Sequence, residues 1–150
     1  MQKQNQNQMI NSRNLSDLLP VVEIKAIDFI RQCKVAGYEI LTTSTYRDAE
    51  SQAKLYAQGR TEPGKIVTNA DAGQSYHNYK VAFDIVTIRN GKCLWGTTGK
   101  DLETWQAIGA IGKACGLEWA GDWKRFKEFP HFQYTDGLSI DDLKKGMEPL

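Results

Sequence analysis

The chain has 150 residues, 41% of them hydrophobic and 25% charged, which suits one domain around one core. Its 19 basic and 18 acidic residues leave a formal charge of +1, without the basic excess that nucleic-acid binding requires. No stretch is long and apolar enough to span a bilayer, and three widely spaced cysteines with no CxxC pair argue against a disulfide framework or a cysteine-rich metal site.

Residues 1–13 are rich in Gln and Asn and read as a flexible or loosely docked arm, with one domain over 14–150. The N-terminus carries no apolar run of the kind a secretory signal needs, so synthesis in the cytoplasm without a signal peptide is expected. Ser16 and Asp17 are positioned to cap a helix running to Ala36, with Val22, Ile24, Ile27, Phe29, Ile30 and Cys33 as its apolar positions and Gly37 as its stop. A strand follows over Tyr38–Thr45, then a helix over Asp48–Gln58 with Asp48 as N-cap and Gly59 as C-cap. Residues 60–80 form a long loop, the kind of segment that often carries function. Val81–Ile88 reads as a strand, and Asn90-Gly91 as a hairpin turn into Lys92–Trp95. A helix over Asp101–Cys115, strands near Leu117–Ala120 and His131–Tyr134, and a short helix over Ser139–Lys145 complete the chain. Strands and helices do not alternate as βαβ units, so the expected fold is α+β, with a central antiparallel sheet and helices packed around it.

The chemistry-bearing residues concentrate around the two histidines, His77 and His131. His77 and Asp84 are seven positions apart, too far along a helix and on opposite faces of a strand, so they converge only if the chain bends between them. A bend through Asn78-Tyr79-Lys80 into the strand at Val81 would bring them together, and His131 at the start of a later strand could complete a set of three. Two imidazoles and a carboxylate leave a fourth tetrahedral position for water, as in catalytic zinc sites. Glu128, three residues before His131 with the restrictive Pro130 between, is placed to act as a base. Taken singly, each histidine is more often a hydrogen-bonded structural residue, Glu128 a solvated charge, and Asp84 the end of a strand.

Ser44-Thr45-Tyr46-Arg47, Gln52, Leu55 to Thr61, Pro63-Gly64, Ile66 to Ala70, Ser75 to Asp84, Gly121-Asp122-Trp123 and Pro130-His131-Phe132 together carry a resemblance. The chain resembles the zinc-dependent L-alanyl-D-glutamate endopeptidases of phage endolysins, within the superfamily of VanY-like D-alanyl-D-alanine carboxypeptidases, from about Leu15 to Tyr134. The resemblance implies a D-Ala-D-Ala peptidase or hedgehog-like fold, one Zn2+ ion on His77, Asp84 and His131, and Glu128 as catalytic base. It implies that Arg47 binds substrate and steadies the oxyanion, where a surface salt bridge would be its ordinary role, and that Ser75 contacts substrate, where a turn or capping bond is the rival. The family pattern around the first histidine is S-x-H-x-x-G-x-A-x-D, and this chain has Lys80 at the glycine. Were that position to need a positive φ, Lys80 would carry strain of about 1 kcal/mol or more.

The implied activity is hydrolysis of the L-Ala–D-Glu bond in peptidoglycan stem peptides, by a monomer that reaches the wall with a holin-type release partner and inserts in no membrane. A D,D-carboxypeptidase removing terminal D-Ala shares the metal core. A wall-binding module that lost catalysis would lack the base, and Glu128 is present. A Cys–His peptidase finds no nucleophile context at Cys33, Cys93 or Cys115, which read as mostly buried thiols. Trp119 and Trp123 fit a cleft wall or plain core equally well.

Overall fold

A computed structural model describes residues 9–150. Residues 1–8 of the Gln/Asn-rich arm lie outside the described residues. Its last part is docked: the Ser12 N–H donates to the Tyr46 carbonyl at 2.8 Å, and the Thr45 and Asp48 N–H groups donate to Ser12 and Ile10 at 2.7 and 2.9 Å.

Helix α1 spans Pro20–Val35, α2 Ala49–Ala57, α3 Gly99–Ala114 and α4 Ile140–Lys144. Strands β1 (Glu39–Ser44), β2 (Ala82–Arg89), β3 (Lys92–Cys93), β4 (Glu118–Trp119) and β5 (His131–Gln133) make one antiparallel sheet in the order β1-β2-β5-β4, with β3 paired to β2. The expected α+β architecture is therefore present, and three local readings change. Helix α1 takes no side-chain cap from Ser16 or Asp17; Leu19 is its N-cap, and Pro20 at the first position supplies a preset φ. Its buried positions are Val22, Ala26, Phe29 and Cys33, one helical face, while Ile24 and Ile27 are exposed on the other. The strand after the hairpin stops at Cys93. Asn90 and Gly91 take φ of 53° and 76°, the left-handed pair that a tight two-residue hairpin needs. Asp48 caps α2 as expected, accepting from the Ser51 N–H at 2.8 Å.

The pleat of the sheet separates core from site. Phe83 and Phe132 are register partners on β2 and β5, both fully buried against Phe29 of α1, with ring centroids 4.6–6.1 Å apart. Burying each ring contributes roughly 2–3 kcal/mol. Helix α3 approaches this cluster through Gly112, where a Cβ would sit 2.5 Å from the Phe132 ring. Because side chains alternate along a strand, the neighbours of those rings, Asp84, His131 and Gln133, point to the opposite face.

Candidate metal centre

Asp84 occupies the middle of this second face. Ser44 of β1 is its register partner on one side, beyond an irregularity in the ladder after Thr42, and His131 of β5 is its partner on the other. His77 arrives from the long loop. Ser75 caps a single 3-10 turn over Tyr76–Tyr79, its hydroxyl accepting from the His77 N–H at 3.2 Å while the Asn78 side chain accepts from the Ser75 N–H at 3.1 Å. Lys80 then takes φ 63° and ψ 28°, a left-handed residue that swings the chain from the turn into β2. This is the bend that brings positions 77 and 84 together. It falls at the position where the resembled pattern has glycine, so the lysine carries the strain.

The ligating atoms of His77, Asp84 and His131 all lie within 4.8 Å of one another. Oδ1 of Asp84 is 3.2 Å from Nε2 of His77 and 3.2 Å from Nδ1 of His131. The far side of each ring is occupied by an acceptor. The Thr45 carbonyl is 2.8 Å from Nδ1 of His77, and Oε1 of Gln133 is 2.7 Å from Nε2 of His131. Each neutral ring therefore donates outward and turns its lone pair toward the carboxylate. Three acceptors facing one point repel unless a cation lies among them. A divalent ion fits this donor set, and the outward hydrogen bonds are of the kind that orient metal-binding histidines.

Without a metal ion the cluster attracts positive charge in the form of protons. Burial works against the charge of Asp84, yet the two imidazoles hold its carboxyl well below the usual carboxylate range. Burial likewise disfavours the His131 imidazolium, but the hydrogen bond and charge of Asp84, together with Glu128, lift its pKa above the ordinary value. Both histidine side chains are nearly sealed, 4% and 7% exposed, while Asp84 keeps 26%, so solvent reaches the cluster from the carboxylate side.

A cleft of about 440 Å³ opens there, walled by Arg47, Leu55, Thr68, Trp123, Phe126 and Glu128. Oε1 of Glu128 stands 3.8 Å from Nδ1 of His131, beside the cluster and half-exposed. Arg47 projects from the segment after β1. Its Nη1 donates to Gln52 at 2.9 Å and its Nη2 to the Ser44 hydroxyl at 3.2 Å, while Nε is buried without a partner. Burial lowers the Arg47 pKa, opposed by the nearby charges of Asp84 and Glu128. The Arg47 N–H donates to the His77 carbonyl at 3.2 Å and the Asn78 side chain donates to the Arg47 carbonyl at 2.8 Å, which ties the segment bearing Arg47 to the turn bearing His77.

The six residues singled out in the sequence thus meet around one cleft, with Ser75 engaged in the capping bond as well as lining it. Trp123 packs against His131 at 5.4 Å, whereas Trp119 belongs to the core. No cysteine lines the cleft among the described residues. Cys33 is buried, which pushes its thiol up to about 12, Cys115 is half-buried, and Cys93 is exposed, contrary to the expectation of mostly buried thiols. Residues assigned no role in the site from the sequence are Thr45, whose carbonyl orients His77, and Gln133 and Glu118 behind His131. Gln133 had a signal: a residue two past His131 on a strand shares its face.

The family model described as D-alanyl-D-alanine carboxypeptidase of the peptidase M15 group matches residues 68–134. The peptidoglycan L-alanyl-D-glutamate endopeptidase CwlK of Bacillus subtilis is 38% identical over 125 residues, covering 79% of this chain and 74% of that protein. The L-alanyl-D-glutamate peptidase of Listeria phage A118 is 28% identical over 139 residues, covering 92% of this chain and 44% of that longer protein. The solved structure of the Serratia marcescens L-Ala D-Glu endopeptidase ChiX superposes with a TM-score of 0.57 at 21% identity, covering 85% of this chain and 90% of that one, a likeness of fold. The chain, with these relatives and this fold, belongs to the M15 peptidases, hydrolases of the bacterial cell wall.

Proposed function

We propose that the chain hydrolyses the L-Ala–D-Glu bond of peptidoglycan stem peptides with one zinc ion held by His77, Asp84 and His131. The observation that carries the reading is the convergence of two outward-anchored imidazoles and one carboxylate on a single point beside a solvent-open cleft. The choice of bond rests on CwlK, whose likeness runs over most of both chains. The second reading, release of terminal D-Ala, rests on the description of the family model over residues 68–134, less of the chain than CwlK matches.

Zinc, when bound, acidifies a water and polarises the scissile carbonyl. Glu128 takes the proton of the attacking water as the new C–O bond forms, and returns it to the amide nitrogen as the C–N bond then breaks and the amine leaves. Arg47, anchored by Gln52 and Ser44, presents a fixed positive charge to the oxyanion that develops. Ser75 holds the turn that delivers His77 and offers its hydroxyl to the cleft. Trp123 and Phe126 supply apolar walls for the peptide.

The phage source of the Listeria relative is in keeping with a lysin that acts on the wall after release, for which we propose a holin-type partner and a monomeric state. No described helix is long and apolar enough to cross a membrane.

Purified protein incubated with sacculi tests the reading. New N-terminal D-Glu in the fragments, abolished by a chelator and restored by zinc, is the expected result. Free D-Ala as the product would move the activity to the carboxypeptidases, and undiminished cleavage after metal removal would end the zinc mechanism.

A further inference from the structure

A carboxylate accepts hydrogen bonds and does not donate, and for Glu118 that constraint propagates to the metal face. Its Oε2 receives the backbone N–H of Thr135 at 3.0 Å and the Thr135 hydroxyl at 2.8 Å. Its Oε1 lies 3.1 Å from the side-chain nitrogen of Gln133. The Gln133 carboxamide must therefore turn its NH2 toward Glu118 and its oxygen toward His131. That oxygen, 2.7 Å from Nε2 of His131, makes Nε2 the protonated nitrogen and leaves the lone pair of the neutral ring on Nδ1. Nδ1 is the atom 3.2 Å from Asp84.

The fold explains why these groups line up. His131 and Gln133 are two apart on β5 and share a face, and Glu118 is the register partner of Gln133 on β4. Gln133 is 3% exposed, so no bulk water competes for its amide, while Glu118 sits at the surface. His77 needs no such chain, because a backbone carbonyl can only accept.

We propose that Glu118 and Gln133 are positioning residues that lock His131 in the Nε2–H tautomer, presenting Nδ1 to the metal. The inference rests on the zinc reading of the site. Loss of a partner behind a metal-binding histidine typically weakens metal affinity about 10–100-fold.

The test pairs Gln133→Met with the double exchange E118Q/Q133E. In the exchange, the new carboxylate at position 133 still accepts from His131. The new carboxamide at 118 donates to it and accepts from Thr135. Zinc affinity is measured by competition with a chelating dye, and the His131 tautomer by long-range proton–nitrogen NMR on metal-free protein. Gln133→Met should bind zinc about 10–100-fold more weakly and show mixed tautomers, and the exchange should restore wild-type values of both. A folded Gln133→Met with unchanged affinity and a single Nε2–H tautomer would overturn the relay. Should Gln133→Met fail to fold, the exchange decides: wild-type affinity and tautomer support the relay, and a folded exchange lacking both overturns it. Failure of the wild type to take up zinc would strike the zinc reading instead, and the metal-free tautomer measurement would still judge the relay.

Discussion

Asp84 on β2 and His131 on β5 stand opposite each other as register partners, although 47 residues separate them in the chain. The carboxylate is thus held by the same ladder that positions one imidazole, and only His77 depends on a loop. A site built largely on strands keeps its geometry with little reorganisation.

Replacing Asp84 with Asn preserves shape and removes the charge that offsets a divalent cation. Zinc affinity should fall by more than the roughly 10–100-fold typical of residues behind a ligand. Titration with a competing chelator measures this, and wild-type affinity in the variant would remove Asp84 from the ligand set.

Glu128 stands beside the cluster without joining it. Glu128→Ala should therefore retain zinc while sacculus hydrolysis slows by about 10²–10⁴-fold, the usual contribution of a positioned acid–base group. Full turnover in the zinc-loaded variant would shift the base to another residue, with Asp122 the next to test.

Arg47 offers its charge in a fixed planar fork that a lysine does not reproduce. Arg47→Lys should lower the rate about 10²–10³-fold, the scale of a lost oxyanion donor, with zinc content unchanged. Steady-state kinetics on a stem-peptide substrate separates this from a binding defect, because an effect confined to KM would contradict the oxyanion role.

Two of the perturbed groups, His131 and Asp84, give the metal-free protein a distinctive pH dependence. The folded pKa of His131 is raised, so its contribution to stability is complete below about 6.5 and is lost as pH rises through the folded value. That of Asp84 is depressed, so its contribution is complete above about 3.9 and is lost as pH falls through the folded value. Chelated protein should be most stable between those limits and weaken toward alkaline pH. With zinc present the alkaline trend should reverse, since the ligands must be unprotonated to bind the metal. Thermal unfolding across pH, with and without chelator, checks both trends; parallel curves would contradict them.

Lys80 holds a left-handed conformation, and its ammonium lies 4.9 Å from the centre of the Tyr46 ring. Lys80→Gly should stabilise the folded protein by about 0.5–1 kcal/mol, the left-handed penalty less the extra chain entropy of glycine. Zinc binding should be unchanged. A lower melting temperature would mean that the ring contact outweighs the backbone strain.

The sequence on its own determined the local elements and the identity of the ligand candidates. Helix α1, the Asn90-Gly91 hairpin and the Asp48 cap follow from short-range sterics and hydrogen bonding, which depend on neighbours in the chain. The exposure of the apolar Ile24 and Ile27 shows the limit of that range, since the face of α1 that is buried is the one that meets Phe83 and Phe132 of the sheet. Tertiary structure alone decided that Glu118 lies across from Gln133, that the Thr45 carbonyl backs His77, and that residues 10–12 brace the segment bearing Arg47. Strand pairing and backbone carbonyls leave no residue-type signature, because every residue carries the same peptide group and only the register of distant strands determines what that group meets.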